Sequence, residues 1–334
     1  SPGNPPPPVP VAANALQTFG NPYASRIEFS KVRAASTGIN DVFYVWDPKL
    51  SGTYNLGGYQ VISGVTGYIP SAGYGTSTYP SGVASPYIES GQAVFVKGNA
   101  TGGNIIFNEN CKANESRLIT RQSHDRSGGA DRSLLFASLF TNTGVIADGT
   151  IIAFEDGFGN EVNEQDAVKI MNGGENFGLN REGNILAIEA RELLTEADTI
   201  FYYIDNLKQQ GYQLRFAPVN MSFSNLQAFL IDRFSNISVP ISFTDSTYFN
   251  FSVTTDPASS ANGRFIIICK MLSPVGVNFV KIKAYQNERI INVEWDVENE
   301  LNTAVYQVER SANGYDFNNI GTIQPKINNG GDVN

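Results

Sequence analysis

Apolar residues in this chain recur at every second position in short runs, and nearly every run is closed by Gly, Asn or Ser. YQLRF sets Tyr212, Leu214 and Phe216 on one side with Gln213 and Arg215 on the other, and YFNFSV sets Phe249, Phe251 and Val253 against Tyr248, Asn250 and Ser252. DVFYVW alternates Val42, Tyr44 and Trp46 with Phe43 and Val45. A period of two is that of a strand, whose successive side chains face opposite ways. Composition agrees: only 16% of residues are charged, while 32 Gly, 21 Phe and 15 Tyr supply tight turns and pleated-surface side chains. The chain is therefore expected to be all-β, built of antiparallel, jelly-roll-like β-sandwiches followed by an incomplete immunoglobulin- or fibronectin-like sandwich.

At 334 residues the chain exceeds the roughly 250 to 300 that one core usually organises, so more than one domain is expected. The opening SPGNPPPPVP is a polyproline stretch, and residues 1–13 read as a linker from a polypeptide extending upstream. Residues 14–120 form a first β-rich domain interrupted by a Gly-, Ser-, Pro- and Tyr-rich excursion at 52–91. The polar stretch RQSHDRSGGADR at 121–132 marks a boundary before a jelly-roll-like sandwich at 131–273, within which QDAVKIM suggests a short helical turn. After Pro274, KIKAYQNERIINVEWDV forms a hairpin turning at Gln286 to Glu288, with Ile291, Val293, Trp295 and Val297 inward. A fibronectin-like sandwich takes about seven strands and ~90 to 100 residues. Residues 279–334 are thus expected to form a partial module.

Several function classes are disfavoured at once. The formal charge is 23 − 32 = −9 with no basic cluster, so the counterion release that drives nucleic-acid binding has no source. No apolar run approaches the ~18 residues of a membrane-spanning helix. Cys111 and Cys269 permit one disulfide, yet Cys269 in FIIICKM equally suits a small buried hydrophobe.

Catalytic constellations are weak. Ser123, His124 and Asp125 are adjacent, and adjacent side chains diverge where a triad needs them in line. A lone histidine and two distant thiols do not make the usual zinc ligand set. GYGTS at 73–77 lacks the lysine and following helix of a phosphate loop, and no marker picks out a glycosidase pair among the many carboxylates. The densest oxygen cluster is EDGFGNEVNEQD, where Asp156, Asn160, Asn163 and Asp166 are candidate calcium ligands, although the spacing is not that of an EF-hand and acidic turns are commonly just solvated. The excursion is the best binding candidate. Tyr54, Tyr59, Tyr68, Tyr74, Tyr79 and Tyr87 stand among Gly and Ser, a mixture that offers contact area at low entropic cost and suits sugar rings; the alternative is a loop folded back with its tyrosines beneath it.

GNPYAS (20–25), FYVWDP (43–48), GGYQ (57–60) and SGQAVFV (90–96), then DGTIIAFEDGFGNEVNEQDAVKI, NILAIEAR, DTIFYYI and RFIIICK, and finally VKIKAYQNERIINVEW with YQVERSANGYDFNNIGTI, together resemble the β-rich C-terminal region of large Bacteroidetes surface proteins exported by the type IX secretion system. The sorting domain of such proteins is absent from this sequence. The resemblance implies an extracellular, cell-surface location and makes Thr199 in DTI and Ser246 in DST candidate O-glycosylation acceptors. Two functions are then expected to compete. One is a non-catalytic adhesive or structural surface protein whose partners are other copies of itself or other segments of the same surface protein, assembled into filaments by strand complementation. The other is a carbohydrate-binding accessory region of a secreted polysaccharide-degrading enzyme.

Overall fold

The computed structural model describes residues 5–80, 82–113, 132–223, 225–271, 277–301, 303–326 and 329–333. Strands take up 50% of the chain and helix 6%, which establishes the all-β class. The chain forms two compact units, residues 1–270 and 271–334.

The first unit is built on two main sheets, with two short ladders beside them, Ile27–Glu28 with Tyr87–Ile88 and Val9–Val11 with Gly103–Ile105, so the end of the expected linker 1–13 is a strand with Val11 in a core. A four-stranded antiparallel sheet runs in the order Leu16–Gly20, Ala93–Gly98, Ile39–Asp47, Gly58–Ser63. A large sheet runs Ile237–Ile241, Leu226–Asp232, Phe265–Met271, Thr199–Asp205, Asn176–Arg181, Asn184–Arg191, Ile146–Phe154, Ser133–Thr141, Gly211–Val219, Thr247–Ser252. Ile146–Phe154 lies parallel to Asn184–Arg191 at the centre, with Ile151 opposite Ile188, while its neighbour Ser133–Thr141 and the pairs outward to Thr247–Ser252 on one side, and Asn176–Arg181, Thr199–Asp205 and Phe265–Met271 on the other, run antiparallel. A parallel neighbour requires a crossover, here the whole stretch between the two strands. That stretch contains QDAVKIM, which is not a helical turn: Ala167–Val168 is a short strand pairing with Ile188 and Leu186.

Three cores follow from which side each strand presents. On Ser133–Thr141, Leu135, Ala137 and Leu139 enter the interior of the large sheet with Leu179, Tyr202, Phe216 and Phe265. Leu134, Phe136 and Phe140 face the other way and join Val42, Tyr44 and Val61 of the smaller sheet. The opposite face of that smaller sheet carries Phe43, Val45, Ile62 and Val96, which close a third core with Phe29, Val32, Ile88 and Ile105. The middle strand Ile39–Asp47 is thus buried on both faces, which explains why DVFYVW is apolar at consecutive positions rather than alternately. Strands on either side of the expected boundary at 121–132 share the second core, so the expected domains 14–120 and 131–273 fold as one unit; residues 114–131 lie outside the described residues. The helix Phe29–Ala35, which sequence reading passes over, buries Phe29 and Val32 one turn apart. Seven residues carry too little periodicity to announce it.

The second unit holds a three-stranded sheet, in the order Asn278–Asn287, Ile290–Leu301, Asn329–Val333, and a two-stranded ribbon, Tyr306–Ser311 with Phe317–Ile323. The hairpin turn lies at Glu288 and Arg289, since Asn287 pairs with Ile290, and Glu288 takes a left-handed φ of 54°. The expected inward face is only partly covered. Val297 is buried and Trp295 half-buried, with Tyr306 of the ribbon against Trp295 and Phe279 at ring distances of 5.6 and 6.1 Å. Toward the turn, Ile282 and Ile291 stand 66% and 64% exposed.

Candidate functional site

The six tyrosines of the excursion are not gathered on one face; each is buried or half-buried and has its own partner. The Tyr54 hydroxyl donates to Asn206 Oδ1 at 2.9 Å and the Lys208 ammonium lies over its ring. Tyr59 packs edge-on between Trp46 and Phe95. Tyr68 donates to Asp41 Oδ1 at 2.9 Å, and burial together with that carboxylate pushes its phenol well above the usual range. Tyr74 is buried against Phe136 beneath the Arg215 guanidinium, Tyr79 packs on the third core, and Tyr87 lies under Arg26. The excursion is held down by Asp47, a fully buried carboxylate at the end of its strand. Its Oδ2 accepts from Ser77 Oγ, the Thr78 amide and Gln60 Nε2, and its Oδ1 from Thr78 Oγ1 and the Lys49 amide. A surface excursion stapled by four hydrogen bonds to one buried acid is part of the scaffold.

The acidic turn likewise uses its oxygens internally. Asp166 Oδ1 accepts from the Ala190 amide and Oδ2 from the Asn163 amide, both at 2.8 Å. Asn163 Oδ1 caps the Gln165 amide, Asn160 Nδ2 donates to Glu192, and Asp156 is exposed. Asn163 and Asp166 thus spend these oxygens on backbone amides, and no group of three or more acidic, His or Cys side chains converges on a metal position among the described residues. Cys111 and Cys269 are both free and buried, one in the third core and the other in the interior of the large sheet, so the expected disulfide does not form. Burial, with Asp198 nearby, raises the Cys269 thiol to about 11. Thr199 begins the strand Thr199–Asp205 and is half-buried, and Ser246 accepts from the Arg215 guanidinium at 3.1 Å. Ser123, His124 and Asp125 lie outside the described residues.

What the fold does assemble is a charged cleft of about 340 Å³ at one end of the large sheet. Asn180 and Arg181 end one strand, Glu189 and Arg191 sit two apart on the next, Asp198 and Thr199 introduce the third, and Asn160 reaches in from the acidic turn. Glu189 pairs with Arg181 at 3.0 Å and with Arg191 at 3.4 Å, and Arg191 also binds Asp198. Asp198 Oδ2 is fixed by the Thr195 amide and hydroxyl. Burial pushes the Glu189 carboxyl up, and the two arginines oppose it only in part. Nε of Arg191 is buried without a hydrogen-bond partner, and Phe201 lies 45% exposed on the rim. Two guanidiniums stand among three carboxylates, counting Glu182, and Arg181, Arg191, Glu189 and Asp198 are paired with one another. The cleft therefore offers fixed donors and acceptors beside an aromatic surface, an arrangement suited to hydroxyl-bearing ligands. Sequence reading singled out Asn160 and Thr199 for other roles, and passed over Arg181, Glu189, Arg191 and Asp198. The available signal was EAR at the end of an otherwise apolar strand, which places two charges on one side of a buried sheet.

A family profile described as "Domain of unknown function (DUF8693)" matches residues 8–268. The chain belongs to this family. The matched span coincides almost entirely with the first compact unit, so the shared core between the two sheets falls inside the family's domain. No curated protein and no solved structure matches the chain. No helix among the described residues is long and apolar enough to cross a membrane.

Proposed function

We propose that the chain is a non-catalytic adhesive or structural module, displayed on the cell surface, that associates with further copies of itself through strand addition to residues 271–334. The observation that carries this reading is the open face of the second unit. Among its described side chains only Val297 and Glu300 are buried, while Phe279, Ile282, Ile291 and Val293 leave one face of the three-stranded sheet apolar and accessible, and Phe317, Ile320 and Ile323 are exposed on the ribbon. Contiguous apolar surface of this kind marks an interaction site, and the open sheet edge supplies unpaired backbone donors and acceptors for a strand from another chain. A second copy is the fitting occupant because each chain carries both an open sheet and an open ribbon, so one copy's ribbon meets the other's sheet. Cell-surface display rests on the resemblance to proteins exported by the type IX system. Sedimentation velocity across a concentration series, with electron microscopy of native material, tests the assembly: oligomers or filaments lost on Ile282→Ser and Ile291→Ser are expected. Monomers at every concentration, or closure of the face by further strands of the same polypeptide, would overturn it.

A second reading, a carbohydrate-binding accessory region, is favoured by the charged cleft rather than by the tyrosines. Neutral hydroxyls both donate and accept, which suits Glu189, Asp198, Arg181 and Asn160, and Phe201 supplies a face for a sugar ring. A glycan array probed with wild type and Phe201→Ala distinguishes it; a wild-type protein that retains no saccharide removes this reading.

A further inference from the structure

The first unit buries two ion pairs almost completely, and they are built differently. Arg264 is fully supplied: Nε and Nη2 grip Asp232 at 2.8 and 2.7 Å, and Nη1 donates to the Ser252 and Ser259 carbonyls. Lys169 is not. Its Nζ lies 2.5 Å from Asp148 Oδ2 with both side chains 1% exposed, and it makes no other hydrogen bond or ion pair among the described residues, though an ammonium carries three donors.

The surroundings are apolar. Asp148 stands on Ile146–Phe154 opposite Leu139, which lies in the interior core with Phe177, Leu179 and Leu186. The lysine stem runs so close to Gly178 that a Cβ there would lie 3.1 Å from Lys169 Cδ. Asp148 Oδ1 accepts the Gly149 amide at 2.9 Å, and Oδ2 accepts the Phe177 amide at 2.8 Å. Burial pushes this carboxyl up, against the pull of Lys169. An under-solvated ion pair in such a place is costly, and proton transfer from ammonium to carboxylate gives a neutral amine held beside a neutral acid. Those are the reactants of amide formation.

We propose that Lys169 and Asp148 are joined by an isopeptide bond that the folded protein forms by itself. The lysine proton passes to Oδ2, and the freed Nζ lone pair attacks Asp148 Cγ. Charge that develops on Oδ1 falls on the Gly149 N–H, as in an oxyanion hole. The second amine proton moves to Oδ2, the Cγ–Oδ2 bond breaks, and one water leaves. Nζ–Cγ is the bond formed, nothing is oxidised or reduced, and no co-reactant is consumed. Proximity supplies the driving geometry, since both groups are held by the sheet before reaction. The product replaces a buried ion pair with a neutral amide and ties the strand Ile146–Phe154 to the segment following Ala167–Val168.

Intact-mass spectrometry of the full chain, denatured before measurement, tests this directly. The expected mass is one water below that of the sequence, and proteolysis yields a branched peptide containing both Asp148 and Lys169. Lys169→Arg and Asp148→Ala are expected to restore the full sequence mass. Asp148→Asn is expected to lose ammonia instead and to give the same branched peptide as wild type, a result that does not depend on the other two variants folding. A wild-type mass equal to that of the sequence overturns the proposal. So does a lost water confined to a linear peptide at Asp148–Gly149, which would be an aspartyl succinimide.

Discussion

The strands Ser133–Thr141 and Asn278–Asn287 are of similar length and both are rich in apolar residues, yet the first is buried along almost its whole length and the second is exposed along all of it. SLLFASLFT is apolar on both sides, and sheets lie against both. NFVKIKAYQN carries Lys281 and Lys283 on one side, pairing across the sheet with Asp296 and Glu294, and on its other side, among the described residues, Phe279 meets Tyr306 of the two-stranded ribbon. Alternation is enough to make a strand. Whether that strand contributes a core depends on whether a second layer faces it.

This contrast is open to test, and the two tryptophans make the units separately visible because Trp46 lies in the first and Trp295 in the second. The largest effect is expected from Phe136→Ala, which opens a cavity in the core shared by both sheets and should cost about 3–5 kcal/mol. Urea unfolding followed through Trp46 in a Trp295→Phe background measures it, and a loss under about 1 kcal/mol would mean that the two sheets do not support each other. A comparable loss, about 3–5 kcal/mol, is expected from Asp232→Ala, which strands the buried Arg264 charge.

Asp232 also sets a pH dependence. Burial acts to raise its carboxyl, but hydrogen bonds from Arg264 and Ser235 outweigh that and hold it below the ordinary carboxylate range. The unfolded chain therefore binds this proton more tightly than the folded one, so the stabilisation is complete above the ordinary carboxylate pKa and is lost as pH falls through the lowered one. Unfolding midpoints measured downward from neutral pH should decline in wild type, and this component should be missing in Asp232→Ala. A smaller effect, about 1 kcal/mol, is expected from Thr78→Val, which removes one of the hydrogen bonds to Asp47; release of the excursion would be read as new protease cleavage within residues 71–80. The smallest effect on stability belongs to Ile282→Ser. In the isolated chain it should change unfolding by no more than about 0.5 kcal/mol, while it removes the proposed self-association.

How much of this was legible in the sequence differs from region to region. The all-β class was, because the period of two in YQLRF and YFNFSV is a local property of a dozen residues. The union of 14–120 with 131–273 was not announced by the polar stretch between them, but DVFYVW held the clue: apolar residues on both sides need two neighbours, and Tyr44 finds its second across the chain in Phe136. The tyrosines were conspicuous by composition, and composition says nothing of Asp47, Asp41 or Lys208, the partners that fold them down. The cleft was the least legible feature, since Asn160, Arg181, Glu189 and Asp198 come from four separate segments and meet only once the parallel crossover is complete. The cysteines follow the same rule, each serving as packing in a core the other does not touch.

A sheet enclosed on both faces also fixes an order of events. As the chain is made or threaded from its first residue, Ile39–Asp47 and Gly58–Ser63 are available long before Ser133–Thr141 and Ile146–Phe154 arrive to cover Val42, Tyr44 and Val61. Until then the side of the smaller sheet that carries Val42, Tyr44 and Val61 lacks the residues that complete its core. The smaller sheet therefore comes before, in the chain, the strands that finish its core.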